Sequence, residues 1–206
     1  SSVQDLGVQR IITSKIEHHA VLHTVEKLQQ KFNIEVAYVD LNKKGQVNLS
    51  HLEQLLNESS LKTLVSLMHV NNEIGNKLPL KEVALLCKEH GVLLHSDTVQ
   101  SVGHYPISFQ DIPIDFAAVA AHKFHGPKGV GFAFIRKNTG LKPYITGGAQ
   151  ERGLRAGTEP VYAIAGMTEA LKLAYQNLEK ERQYILDIKL SDIIFGKKVQ
   201  NATNSL

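Results

Sequence analysis

The sequence has one cysteine, no tryptophan and no long hydrophobic run, and each of these absences excludes a class of protein. The lone Cys87 cannot build a disulfide framework, and such sparse cysteine use is typical of a reducing compartment, so we expect a cytoplasmic protein. No apolar stretch approaches the roughly 20 residues that cross a bilayer. The first ten residues also lack the charged and apolar regions of a secretory signal. We therefore expect neither a disulfide-stapled module nor a membrane segment.

The sequence also lacks a large excess of charge of either sign. The 206 residues carry 23 Lys and Arg against 20 Asp and Glu, a net charge of only +3. The paired lysines Lys43–Lys44 and Lys197–Lys198 stand apart, and no aromatic residues are interleaved with them. A nucleic-acid-binding protein usually concentrates its basic residues in one patch, so we expect no nucleic-acid partner. The length favours one large domain, or one domain plus a piece of another.

Hydrophobic periodicity alternates between strand-like and helix-like segments along the chain. Strands are predicted over residues 8–13, 35–39, 63–70, 92–95, 116–120 and 129–135. Helices are predicted over residues 21–32, 79–91 and 160–185. One more helix is predicted to begin at a capping box formed by Ser50 and Glu53. Residues 193–195 could form one more strand. Strands that alternate with helices predict an α/β fold, in which helices cover a mainly parallel central sheet in three layers.

Polar residues follow four of the predicted strands. They are Glu17, His18 and His19 after the first, Asn71, Asn72 and Glu73 after the third, Asp97, Thr98 and Gln100 after the fourth, and His122 and Lys123 after the fifth. Ligands of open α/β sheets bind beyond the carboxyl ends of the strands. We therefore expect the functional site at this edge of the sheet.

Several common chemistries are absent from the sequence. A GxSxG nucleophile elbow, a Walker A loop and a GxGxxG fingerprint are all missing. His18, His19, His122 and His125 are the candidate metal ligands, but adjacent histidines rarely chelate one ion and a Gly-Pro turn directly follows the second pair, so no metal site is predicted. Cys87 lies on an apolar helical stripe and is expected to be a buried structural thiol.

A lysine, an aspartate and a stacking ring together suit pyridoxal phosphate chemistry, because the lysine binds the cofactor as a Schiff base and a carboxylate keeps its pyridine nitrogen protonated. Five ordered segments carry a family resemblance: residues 13–22 (TSKIEHHAVL), 68–75 (MHVNNEIG), 95–103 (HSDTVQSVG), 121–131 (AHKFHGPKGVG) and 150–161 (QERGLRAGTEPV). They resemble the signatures of cysteine desulfurases and selenocysteine lyases, and the similarity runs from about residue 8 to 180. The fold implied is the large cofactor-binding domain of a fold-type-I, class V aminotransferase-like pyridoxal phosphate enzyme.

The resemblance implies a role for each matching residue. Lys123 would bind the cofactor covalently and then move protons on the substrate, and His18 would stack on the pyridine ring and could assist proton transfer. Asp97 would pair with the pyridinium nitrogen, while Gln100 and Asn72 would lie at the phenolic oxygen. His122 and Thr98 would contact the phosphate. Thr158 would open the long helix and reach the phosphate of the neighbouring subunit's cofactor, which implies a homodimer.

The implied activity is desulfuration of L-cysteine, giving L-alanine and an enzyme-bound persulfide, or the corresponding lyase reaction on L-selenocysteine. A sulfur-acceptor protein such as an iron–sulfur scaffold is an implied partner. Another enzyme of the same fold, an aminotransferase or a kynureninase-like lyase, and a non-catalytic scaffold are the alternatives that the sequence leaves open.

The sequence also departs from the family pattern. The phosphate-binding Gly-Thr turn, the mobile nucleophilic cysteine and the carboxylate-binding arginine of the family have no match here, and Cys87 does not occupy the nucleophile's position. Ala120 stands where many relatives have a serine. We therefore expect residues 1–185 to be a large domain without its N-terminal part, and residues 186–206 to be a truncated tail or the start of a small domain. Such a fragment is not expected to be active by itself.

Overall fold

A central six-stranded sheet organises the molecule. The computed structural model describes the backbone of residues 2–203 and the side chains of residues 2–188. The strands are β1 (Arg10–Thr13), β2 (Glu35–Tyr38), β3 (Thr63–Ser66), β4 (Leu93–Asp97), β5 (Phe116–Ala120) and β6 (Gly131–Ile135). Their order is β2-β1-β3-β4-β5-β6, and β6 pairs antiparallel with β5 while the other pairs are parallel. The predicted α/β fold with a mainly parallel sheet is confirmed.

Within residues 2–203, five α-helices flank the sheet: α1 (Ser2–Leu6), α2 (His19–Phe32), α3 (Leu49–Asn57), α4 (Leu80–Glu89) and α5 (Val161–Thr203). The predicted start of α3 was wrong, because Asn48 caps this helix by accepting a hydrogen bond from the His51 N–H. Asparagine is as strong an N-cap as serine, and it stands directly before the first apolar residue of the helix. The possible strand over residues 193–195 was also wrong, since α5 continues through them. None of the helices in the described part of the chain is long and apolar enough to cross a membrane.

Apolar side chains fill both faces of the sheet. Neighbouring residues of β1 point to opposite faces, so Ile12 packs in the cluster beneath α3 and α4, whereas Ile11 packs beneath α1 and α2. Both isoleucines are at most 1% exposed. A sheet covered on both faces needs apolar residues at successive positions, and the buried run of β1 meets this demand. The result is the expected arrangement of three layers.

Cys87 belongs to the core beneath α4. It is 1% exposed, and burial raises the pKa of its thiol to about 12. A thiol with so high a pKa carries almost no thiolate at neutral pH and is a poor nucleophile. The structure thus confirms the expectation of a buried structural cysteine.

Candidate active site

A cavity of about 830 Å³ extends from the sheet face beneath α2, where Ile11 and Leu64 line it, to the carboxyl ends of the parallel strands. Six of the eight predicted site residues line it: His18, Asn72, Asp97, Gln100, His122 and Lys123. His18 follows β1 and Asn72 follows β3, and these adjacent strands form the point where the strand order reverses. A crevice at such a switch point is where open α/β sheets bind their ligands.

Asp97 ends β4 and begins the turn that carries Gln100. Its Oδ1 accepts a hydrogen bond from the Val99 N–H at 3.0 Å, which fixes the orientation of the carboxyl group. The backbone N–H of Thr98 then donates to the Ala118 carbonyl at 3.1 Å and anchors the turn to β5. These bonds fix the start of the turn that carries both side chains.

Thr98 is the first predicted site residue that the structure does not place at the cavity. Its side chain is fully buried, and its hydroxyl donates to the Ala118 carbonyl at 2.9 Å. In this position the threonine connects the end of β4 to β5 by a hydrogen bond. A contact between its hydroxyl and a phosphate group stays a prediction.

Thr158 is the second. The residue is exposed and lies outside the cavity, and α5 begins three residues later, at Val161. The prediction that Thr158 opens the helix was therefore wrong. Pro160 supplies no N–H, and it precedes the first full turn of the helix. A contact between Thr158 and the cofactor of a neighbouring subunit stays a prediction.

Lys123 lies in a short 3₁₀ turn, Ala121–Phe124, directly after β5. His104 contacts this turn, since its Nε2 lies 2.8 Å from the Lys123 carbonyl oxygen, and a ring N–H at that atom satisfies a turn-end carbonyl. His125 ends the turn in the left-handed conformation, with a φ of 65°. The lysine backbone is therefore held from both sides.

His18 stands at the N-terminal end of α2. Its Nδ1 accepts a hydrogen bond from the Ala20 N–H at 3.2 Å, so the ring caps the helix. A ring nitrogen that accepts a hydrogen bond carries no proton, which leaves Nε2 as the N–H donor of this imidazole. The side-chain amide of Asn72, another cavity residue, donates a hydrogen bond to the Glu73 carboxylate at 2.7 Å.

Two further cavity residues, His95 and Ser66, were not among the predicted site residues. His95 Nδ1 and the Ser66 hydroxyl lie 2.8 Å apart on neighbouring strands. Burial lowers the pKa of His95, an effect that the nearby Asp97 partly offsets. His95 lies two residues before Asp97 on β4, so strand alternation alone could have placed it on the same face.

Comparisons with known proteins decide the family. The family model described as Aminotransferase class-V matches residues 7–194. The chain belongs to this family. A protein named cysteine desulfurase IscS from Dictyoglomus turgidum is 41% identical over 181 residues, which are 88% of this chain and 45% of that protein.

Solved structures agree with this assignment. A NifS-like protein superposes with a TM-score of 0.85 at 40% identity, over 89% of this chain and 50% of its own. A structure described as SspA in complex with cysteine superposes with a TM-score of 0.74 at 34% identity, over 81% of this chain and 48% of its own. The chain of this class-V aminotransferase family member thus spans about half the length of the proteins it matches.

Pyridoxal phosphate is the cofactor of this family, and the donor groups of the cavity fit it. The groups that line the cavity include the primary amine of Lys123, the carboxyl groups of Asp97 and Glu73 and the imidazole of His18. Amide groups of Gln100 and Asn72 complete the set. An aldehyde, a pyridine nitrogen, an aromatic face and a phenolic oxygen each have a matching partner there. The volume of about 830 Å³ also leaves room for a small substrate.

Proposed function

We propose that the chain is the pyridoxal phosphate-binding part of a cysteine desulfurase, which converts L-cysteine to L-alanine and passes on the sulfur. One observation carries this proposal: Lys123, Asp97 and His18, from three separate strand ends, line one cavity. A scaffold or binding protein of this fold needs none of the three at that place. The named relative supports a desulfurase, and the relative bound to cysteine supports the substrate.

When bound, pyridoxal phosphate supplies an aldehyde that condenses with amines and a ring that withdraws electrons from the α carbon of the substrate. The chain's own residues would then divide the work. The Lys123 amine would bind the cofactor covalently and, once freed by the substrate amine, take the proton from the α carbon. The Asp97 carboxyl group would hold the proton on the pyridine nitrogen.

Other cavity residues would orient the reactants. The imidazole of His18 would lie against the pyridine ring, and its Nε2–H would be available to a reacting heteroatom. Gln100 and Asn72 would donate amide hydrogens to the phenolic oxygen, and His122 would contact the phosphate. Because Cys87 is buried with a raised pKa, it does not serve as the sulfur acceptor.

We further propose the larger assembly that the family pattern implies. Residues 1–185 would form the cofactor-binding domain, and residues 186–206 would belong to a tail or to the start of a small domain. Two copies would pair through the surface around Thr158, and an iron–sulfur scaffold protein would receive the sulfur in the cytoplasm. Support for pairing comes from exposed aromatic residues near Thr158, since Tyr144 is 86% and Tyr162 is 85% exposed.

Reconstitution with pyridoxal phosphate tests the proposal. We expect the wild-type chain to gain an absorbance band at the edge of the visible range, and we expect Lys123→Ala to lack it. Lys128→Ala is the matched control, because this exposed lysine lies five residues away and outside the cavity. A wild-type chain that binds no pyridoxal phosphate would overturn the proposal. In a longer protein that includes this chain, release of alanine from cysteine rather than transamination identifies the reaction.

A further inference from the structure

Glu17 is a buried acid directly behind the candidate active site. Its side chain is 5% exposed, and its Oε1 accepts two hydrogen bonds. One comes from the Met68 backbone N–H at 3.0 Å and the other from the Ser14 hydroxyl at 2.8 Å. The bond to Met68 connects residues that are 51 positions apart in the sequence. Glu17 therefore connects the loop after β1 to the loop after β3, which are far apart in the sequence.

The position of the Glu17–Met68 hydrogen bond relative to the sheet explains its structural role. The pairing of β1 with β3 ends where Thr13 lies opposite Ser66. On the other side of β3, pairing toward β4 continues one step further, because the His69 N–H donates to the Asp97 carbonyl at 2.9 Å. On the β1 side the Glu17 carboxyl group takes the place of the missing backbone carbonyl. It extends the junction between β1 and β3 to the edge of the cavity.

Asn71 makes a second connection between the same two loops. Its amide donates to the Ile16 carbonyl at 2.7 Å, and its Oδ1 accepts from the backbone N–H groups of Glu73 and Ile74 at 2.8 and 2.9 Å. Glu17 immediately precedes His18, and Asn71 immediately precedes Asn72. Each connecting residue is thus next to a residue that lines the cavity.

Burial of an acidic side chain at this position is energetically unfavourable. Burial raises the pKa of Glu17 to about 7, although the bonds from Met68 and Ser14 oppose the rise. Among the described residues, Glu17 Oε2 is also a buried oxygen without a hydrogen-bond partner. An apolar side chain would fill the space without these costs, so packing alone does not account for the residue.

We propose that Glu17 is a positioning residue for the cofactor cavity, which holds His18 and Asn72 at a fixed spacing by joining the β1 loop to the β3 loop. Its role rests on the function proposed above, because the two residues it positions are those expected to face the pyridine ring and the phenolic oxygen. A gap of even 1 Å in such a constellation weakens the contacts that both residues make at once.

Two substitutions separate positioning from packing. Glu17→Gln keeps an oxygen that accepts from Met68 and Ser14, whereas Glu17→Leu keeps the bulk and removes both bonds. Glu89→Leu on the exposed side of α4 is the control for loss of a glutamate. Two quantities are measured for each variant: hydrogen exchange of the Met68 amide in the cofactor-free chain, and the dissociation constant for pyridoxal phosphate.

For Glu17→Leu we expect faster exchange at Met68 and a dissociation constant about tenfold higher, as for the loss of a buried hydrogen-bonded connection. Glu17→Gln should keep the wild-type affinity and exchange no faster than wild type at Met68, and Glu89→Leu should stay close to wild type in both measurements. Unchanged affinity in a folded Glu17→Leu variant, in a chain whose wild type binds the cofactor, overturns this role alone. A wild type that does not bind overturns the proposed function and this role with it.

Ser14→Ala keeps the test open if Glu17→Leu does not fold. It removes one of the two bonds to Oε1 without changing the acid, so the dissociation constant should rise in the same direction but less, roughly threefold. An unchanged dissociation constant in Ser14→Ala would then count against the positioning role.

Discussion

Burial shifts the pKa values of two buried side chains near the candidate active site, Glu17 and His69, and of the half-buried cavity residue His95, and it raises the first and lowers the other two. It raises the pKa of the Glu17 carboxyl group to about 7, and together with Lys77 it lowers the pKa of the His69 ring to about 4. Burial also lowers the pKa of His95. Burial disfavours the charged form, so the pKa values of all three side chains are shifted in the direction that favours the neutral form.

This balance predicts a stability change that a single substitution isolates. Unfolded glutamate titrates near 4.5, so between pH 4.5 and 7 folded Glu17 retains a proton that the unfolded chain has lost. Its contribution to the free energy of unfolding is therefore fully present below pH 4.5 and is lost as the pH rises through 7. As the pH rises from 4.5 to 7, the free energy of unfolding of Glu17→Gln should therefore increase by about 3 kcal/mol relative to that of the wild type.

Urea unfolding followed by circular dichroism at several pH values measures this difference. Subtracting the wild-type curve is essential, because His69, with its lowered pKa, changes stability in the opposite direction between pH 4 and 6.5. Glu89→Gln, at an exposed position of α4, is the control for the loss of a glutamate. A pH-independent difference between Glu17→Gln and wild type would mean that Glu17 titrates normally in the folded protein.

Among the local elements, the 3₁₀ turn that carries Lys123 depends on a close approach by the Val102–Gly103 loop. Gly103 has a φ of +84°, and a Cβ atom there would lie 2.6 Å from the Cβ of Phe124. Phe124 is 1% exposed, and it packs with Val102 and Ala174 in a cluster beneath α5. Glycine is required here both by its backbone conformation and by lack of space.

Gly103→Ala should therefore destabilise the protein and displace the lysine turn. We expect the free energy of unfolding to fall by about 2 to 3 kcal/mol, from the sum of backbone strain and steric overlap. The affinity for pyridoxal phosphate should fall as well, because Phe124 is adjacent to Lys123. Chemical denaturation and absorbance titration measure the two effects.

Gly91→Ala is the matched control for backbone strain. Gly91 also has a positive φ, +65°, but a Cβ atom there would meet nothing within 4 Å. This variant should lose only about 1 kcal/mol and should retain its affinity for the cofactor. Equal losses in the two variants would show that the approach of Phe124 has no energetic consequence.

At the scale of the whole molecule, large apolar side chains are exposed around the start of α5. Val161 is 69% exposed, in addition to the exposed Tyr144 and Tyr162. Soluble monomers rarely expose such side chains together, and an extended apolar patch marks an interaction surface. This surface lies next to Thr158, the residue that the family pattern assigns to contact between subunits.

We expect the wild-type chain to dimerise through this surface, and we expect Tyr162→Glu to shift it toward monomer. Sedimentation velocity at matched protein concentrations measures the shift. Leu85→Glu introduces the same charge at an exposed residue of α4 and should leave the dimer intact. A wild type that remains monomeric at every concentration would contradict the proposed pairing.

Much of the fold was predictable because it depends on local pattern. Apolar runs and helical periodicity located every strand and helices α2 to α5, and Phe116–Ala120 matched in both bounds. Errors arose where two local signals competed. Ser50 and Asn48 are both good caps, and the choice between them depends on which residue meets the first free N–H of the packed helix.

The candidate site was less predictable, residue by residue. Asp97 and Lys123 were found because they follow strands and because the family pattern marks them. Glu17 and Asn71 were named among the polar residues at this edge but were given no role, since nothing in the local sequence shows that an acid will be buried. Their partners, Met68 and Ile16, lie 51 and 55 residues away along the chain.

By itself the sequence determined the α/β class, the family and the inventory of reactive groups, because these depend on residue type, order and short-range periodicity. Only the tertiary structure decided which groups share a cavity, which threonines turn away from it, and how the loops after β1 and β3 are joined. Strand order and burial bring together residues distant in the chain, and burial then sets their proton affinities. That is why one cysteine could be assigned to the core from its helix alone, whereas the role of one glutamate required the folded sheet.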